Sequence, residues 1–140
     1  MSLFVYTTDS CRADAQRHSL APELDRFVQR VSEAQSLSLF DPFPQDYHVK
    51  KKFGGRQARL IAKQLEVESH NVIVLLAIII RGDRSYDEFY DDPAKYGDAH
   101  FSDLIDFRVL RQFVEDHTRE PERTPLPFPS DAENEILYST

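Results

Sequence analysis

Apolar positions along the chain fall into distinct patterns. Residues 3–8 form a short β-branched and aromatic run that predicts a first strand, and residues 9–19 after it are polar with no apolar period. In residues 21–35, Leu24, Phe27, Val28 and Val31 recur at helical spacing behind Pro22 and Glu23, so a helix is expected there with one face on a sheet. The prolines of residues 41–46 disfavour helix and mark a connector. Residues 47–53 and 56–67 flank the pair Gly54 and Gly55, whose access to positive φ suits a tight hairpin turn, and they predict two antiparallel strands. Beyond a second turn at residues 69–71, residues 72–80 are continuously apolar, short for a helix and rich in Val and Ile, the signature of a central strand buried on both faces. Ser102 then caps a segment in which Leu104, Phe107, Leu110 and Val114 are helically spaced, so a last helix is expected to end near His117.

Together these elements predict an α+β fold, a twisted antiparallel sheet of about four strands with helices packed on it. At 140 residues the chain has the length of one domain, and the elements place that domain in residues 1–118. Residues 119–140 change character. Four prolines between Arg119 and Ser130 give the composition of an extended linker, and the weak helical pattern of residues 133–140 has no natural stop. The expectation is a linker leading from an N-terminal domain into the rest of a longer polypeptide.

Charge refines this picture. The net charge is -7, but residues 47–86 carry eight Lys/Arg against three acids, a local +5, leaving -12 on the remainder. A basic centre between acidic flanks either holds a phosphate or pairs internally with those flanks. Cys11 is the only cysteine, which rules out an internal disulfide and a cysteine-rich zinc site and fits a reducing, cytoplasmic compartment. The start has no basic n-region and the longest apolar run is far below the roughly 20 residues a spanning helix needs, so no membrane partner is expected. His70, His100 and His117 lack metal-ligand spacing, so neither metal nor cofactor is expected. Gly54, Gly55 and Arg56 are not followed by the Lys-Ser/Thr of a nucleotide-hydrolase phosphate loop, and no Gly-x-Ser-x-Gly elbow is present.

Within the basic centre, Tyr47, His48, Val49 and Lys50 follow a tyrosine, basic, aliphatic, lysine pattern. Arg59 precedes the aliphatic pair Leu60 and Ile61, and Arg81 ends the apolar run with Tyr86 a few residues later. In this order the segments resemble the RelE/ParE toxin superfamily, most clearly over residues 47–90. The resemblance implies nucleic-acid contact and, in its ribonucleolytic members, metal-independent cleavage of messenger RNA by attack of the ribose 2'-hydroxyl on the adjacent phosphate. Such chemistry needs cations around a phosphate that gains charge and a group that moves a proton. By the resemblance, Lys50, Arg59 and Arg81 would neutralise the phosphate and His48 or Tyr86 would handle the proton. Lys51, Lys52, Arg56, Lys63 and Arg84 would contact RNA or DNA.

Strand alternation puts His48, Lys50 and Lys52 on one face and Tyr47, Lys51, Val49 and Phe53 on the other, with Arg59 and Arg81 expected to complete the cluster. Structural roles compete for the same residues. Lysine runs also serve as solvated strand faces, the two arginines also suit pairs with Glu66, Glu68 or the acidic tail, and Tyr86, Phe89 and Tyr90 also suit an aromatic cluster closing the core. The functional expectation is a RelE-like domain contacting nucleic acid at the start of a larger, possibly helicase-type, protein. The alternatives are a free-standing endoribonuclease paired with an antitoxin, and a non-catalytic protein-interaction module.

Overall fold

The computed structural model describes residues 2–55 and 57–118. In chain order the elements are β1 (Leu3–Thr7), α1 (Asp9–Arg17), α2 (Ala21–Ala34), β2 (Asp41–Phe43), β3 (Tyr47–Lys50), β4 (Ala58–Val67), β5 (His70–Ile80), α3 (Arg84–Asp91), α4 (Pro93–His100) and α5 (Phe107–Thr118). The sheet runs β1-β5-β4-β3-β2. The α+β class holds, with two corrections: among the described residues the sheet has five strands, and β1 joins β5 in parallel while the other pairings are antiparallel.

The apolar run becomes β5, central between β1 and β4, with residues 72–79 buried. Its register against β4 jumps from Ile61↔Ala77 to Ala62↔Leu75. Leu76 is thus an extra residue in a bulge, which lets Leu76 and Ala77 both join the core layer under the C-terminal helices. The other layer packs Leu60, Ala62, Ile73 and Leu75 against Leu24, Phe27 and Val31 of α2 and Cys11 and Ala15 of α1. Helices therefore cover both sheet faces, α1 and α2 on one and α3 to α5 on the other.

Helix α1 occupies residues that show no apolar period. Its buried stripe is only Cys11 and Ala15, four residues apart and both small. Its start is set by Thr8, whose Oγ1 accepts from Cys11 N–H at 3.1 Å and donates to Leu75 O at 2.8 Å. Helix α2 matches its expected span and stops at Gln35, which is left-handed at φ 52. The Gln35 amide donates to Leu3 O at 2.9 Å and accepts from Leu3 N–H at 3.0 Å, closing the outer edge of β1.

Four local expectations are corrected. The proline connector contains β2, where Pro42 sits on an edge strand that can spare its missing N–H. The β3–β4 connection is longer than a two-residue turn: Lys52 and Gly54 take positive φ (51 and 64) and Phe53–Gly55 form a 3-10 turn. Phe53, 2% exposed, packs its ring on Phe27 at 5.7 Å and draws the turn onto α2. A Cβ on Gly54 would lie 2.9 Å from Leu20 Cδ2, so its left-handed φ and this close approach both favour glycine there. The second hairpin turns on Glu68 and Ser69 (φ 50 and 65), which frees His70 and Asn71 to pair in β5. Lastly, Ser102 opens only a 3-10 turn, Ser102–Leu104, and α5 starts at Phe107 behind Asp106, whose Oδ1 accepts from Arg108 N–H at 2.9 Å.

The proline-rich stretch expected to act as a linker lies outside the described residues, as does Arg56. Among the described residues no helix is long and apolar enough to cross a membrane.

Candidate nucleic-acid interface

In β3 the expected alternation appears: Tyr47 and Val49 are buried while His48 and Lys50 are half-buried on the opposite face. That opposite face is the α2 side. His48 meets Phe40 edge-on at 6.1 Å, its Nε2 lies 3.2 Å from Gln64 Oε1, and its Nδ1 is buried without a partner among the described residues. Lys50 borders a groove of about 220 Å³ with Glu23, Arg26, Phe27, Arg30 and Phe53. Lys52 does not continue the strand face, because the chain turns there at positive φ, and Phe53 sits on the α2 side instead of beside Tyr47 and Val49.

Arg59 falls on the other face. Register pairs Lys50 with Leu60, so Arg59 alternates away from Leu60 toward α3. It is 5% exposed, its guanidinium carbon stands 5.7 Å over the Tyr86 ring, and one terminal nitrogen donates to Ala58 O at 3.3 Å. Its Nε is buried without a hydrogen-bond partner among the described residues, and its guanidinium faces the buried hydroxyl of Tyr90. Tyr86 stacks on Tyr90 at 4.4 Å, and Phe89, fully buried, contacts Phe43, Tyr47, Tyr96 and Phe101. Burial pushes the Tyr90 phenol above its ordinary value and Tyr86 adds to the rise, while Arg59 opposes it. Tyr86 is thus both a member of an aromatic cluster and the ring beneath Arg59.

The structure does not bring Lys50, Arg59 and Arg81 to one point. Lys50 and His48 face α2, and Arg59 is sealed under α3. Arg81 is exposed just past β5, where its N–H donates to Gln57 O at 2.8 Å. This bond does, however, tie the β3–β4 and β5–α3 connections together at one end of the sheet. Lys51, Lys52 and Arg81 are exposed on those two connections, and Arg84 is exposed at the first position of α3. Arg26 and Arg30, exposed on α2 and unremarked in the sequence, extend the same rim through the groove at Lys50. Lys63 lies apart, its ammonium 5.0 Å from the Tyr47 ring.

Two of the rim's cations, Arg26 and Arg84, carry ion pairs within their own helices, whereas Lys51, Lys52 and Arg81 form no salt bridge among the described residues. Among the described residues the salt bridges are local ones, including Arg26 to Glu23 at 3.6 Å and Arg84 to Glu88 at 2.9 Å, and none involves Arg59 or Arg81. Among the described residues no three His, Cys, Asp or Glu are grouped to hold a metal. No protein-family model matches the chain and no curated protein matches it, so the site stands on its own geometry.

Proposed function

We propose that this is a RelE-like domain that contacts the backbone of single-stranded nucleic acid through the cationic rim at one end of its sheet, and that it binds without cleaving. The carrying observation is the Arg81 N–H to Gln57 O bond of 2.8 Å, which fastens two cation-bearing connections side by side. Lys51, Lys52 and Arg81 are exposed there without a salt bridge among the described residues, which suits charges meant for phosphates. The overall -7 charge keeps the attraction local to this end.

The non-cleaving reading is supported by the split between the sheet faces and by burial, since Tyr86, the other proton-handling candidate, stands beneath an Arg59 that is 5% exposed and so withdrawn from a phosphate. A proton-handling His48 on the α2 side and a charge-neutralising Arg59 on the α3 side cannot attend the same phosphate. Direct titration of a labelled single-stranded oligonucleotide at several salt concentrations tests the reading. Each single-strand phosphate contact contributes about 0.7 to the log-log salt slope, so Lys51→Ala, Lys52→Ala and Arg81→Ala together should flatten it by about two. His48→Ala should leave the slope alone. An unchanged slope in the triple variant would remove the rim from the reading. New messenger ends after incubation with translating ribosomes would restore the endoribonuclease alternative.

A further inference from the structure

Strand β1 ends at Thr7 opposite Leu75, while β5 runs on to Ile80. Along this overhang α1 replaces the missing strand: Asp14 Oδ2 accepts from Ile78 N–H at 3.0 Å. Between α1 and α4 a slot of about 350 Å³ remains, floored by the overhanging residues of β5. The parallel neighbours β1 and β5 send their following helices to opposite faces, and such a divergence at strand carboxyl ends is where open sheets admit ligands. The volume lies within the range of small-molecule sites.

We propose that this slot takes one unstacked base of the strand bound at the rim, an inference that rests on the reading above. Continuity is the first ground. Asp83 and Ser85 line the slot, and Arg81 of the connection and Arg84 at the start of α3 bracket Asp83. The second ground is charge. The slot holds the carboxylates of Asp14 and Asp83 against the single guanidinium of Arg17, which already pairs with Asp14, so it repels a phosphate. A base is the neutral, planar part of the strand. Ser10, Ser85 and Asp83 present donors and acceptors to its edge, and Tyr96 with His100, ring centroids 4.3 Å apart, form an aromatic wall on which it can stack.

Titration of the uniformly 15N-labelled protein with uridine and with adenosine, followed by amide resonances, tests the slot without the rim. Shifts should concentrate at Ser10, Ser85, Tyr96 and His100 and vanish in Ser85→Phe, a substitution at a half-buried position. Thermal melting and an unaltered salt slope for the oligonucleotide show whether that variant is folded. An oligonucleotide with abasic residues throughout should bind about tenfold more weakly than the normal one, the loss of a single stacked base, and Ser85→Phe should erase the difference. If nucleosides shift nothing in the slot and the abasic strand binds equally with a steep salt slope, the slot is overturned and the rim stands. If nucleosides shift the slot but neither strand binds, the rim fails and the placement of a strand base fails with it.

Discussion

On the α2 side of the sheet, Lys50 reaches an open groove beside Arg26 and Arg30, whereas on the α3 side Arg59 is 5% exposed with an unpartnered Nε beneath two tyrosines. Both residues belong to the same antiparallel hairpin, and a single step of strand register sends one to solvent and the other into an aromatic layer. A basic segment read linearly looks like one cluster. Folded, it becomes an outward rim and an inward cation, and only the rim can meet a polyanion.

The comparison breaks if the α3 side is a loose cover instead of a packed layer, and Phe89 tests this. It is fully buried and contacts five other aromatic rings, Phe43, Tyr47, Tyr90, Tyr96 and Phe101. Phe89→Ala should cost about 3–5 kcal/mol in urea unfolding. A loss below about 1 kcal/mol would mean that α3 lifts easily and that Arg59 is accessible after all.

A smaller effect reports how closely α4 sits on the same face. A Cβ at Gly97 would come within 2.0 Å of the Tyr47 hydroxyl oxygen but 3.3 Å from its ring carbon Cζ. Gly97→Ala should therefore cost about 1–3 kcal/mol by overpacking. In a Tyr47→Phe background, which removes the offending oxygen, most of that cost should disappear. An equal cost in both backgrounds would place the strain in the helix backbone and not at Tyr47.

The opposite layer has its own probe in Cys11. Burial pushes its thiol from the ordinary 9.0 up to about 12, with the Asp14 carboxylate adding to the rise and Arg12 opposing it. The unfolded chain loses this proton first, so the thiol's contribution is intact below about pH 9 and is lost as pH climbs toward 12. Unfolding free energy at pH 10 should fall by about 1.4 kcal/mol relative to pH 8, and Cys11→Ala should abolish that component. A thiol reagent should react only on unfolding. Rapid labelling of the native protein would show that α1 is not seated as described.

Much of this architecture was legible in the amino-acid order. The run at residues 72–80 and the stripe of Leu24, Phe27 and Val31 announce themselves because large apolar side chains dominate each. Helix α1 stayed hidden because Cys11 and Ala15 bury little area, and β2 because prolines argue against strands everywhere but at an edge. For the site, alternation within β3 was visible, but the relation of Arg59 to it depends on the Lys50↔Leu60 register, which a turn drawn onto α2 by Phe53 sets. Arg26 and Arg30 lie outside the basic segment of residues 47–86, on the outer face of a helix whose apolar stripe dominates its pattern, although their spacing of four places them together.

The finest distinction concerns Arg59 itself, a buried cation that forms no salt bridge among the described residues. Its stabilising contacts are the hydrogen bond to Ala58 O, the Tyr86 ring and the Tyr90 hydroxyl, against the cost of desolvating a charge and leaving Nε unpaired among the described residues. Methionine follows the flexible arginine stem to about the position of Nε and carries no charge. If the inward cation is a burden that packing carries, Arg59→Met should raise the unfolding free energy by about 1 kcal/mol, as apolar replacement of buried charges often does. The rim's salt slope for single-stranded nucleic acid should not change. A destabilised Arg59→Met with an unchanged slope would make the guanidinium a structural tie between β4 and α3. A flattened slope would mean that Arg59 reaches a phosphate, and the division of the basic centre into an outward rim and an inward cation would fail.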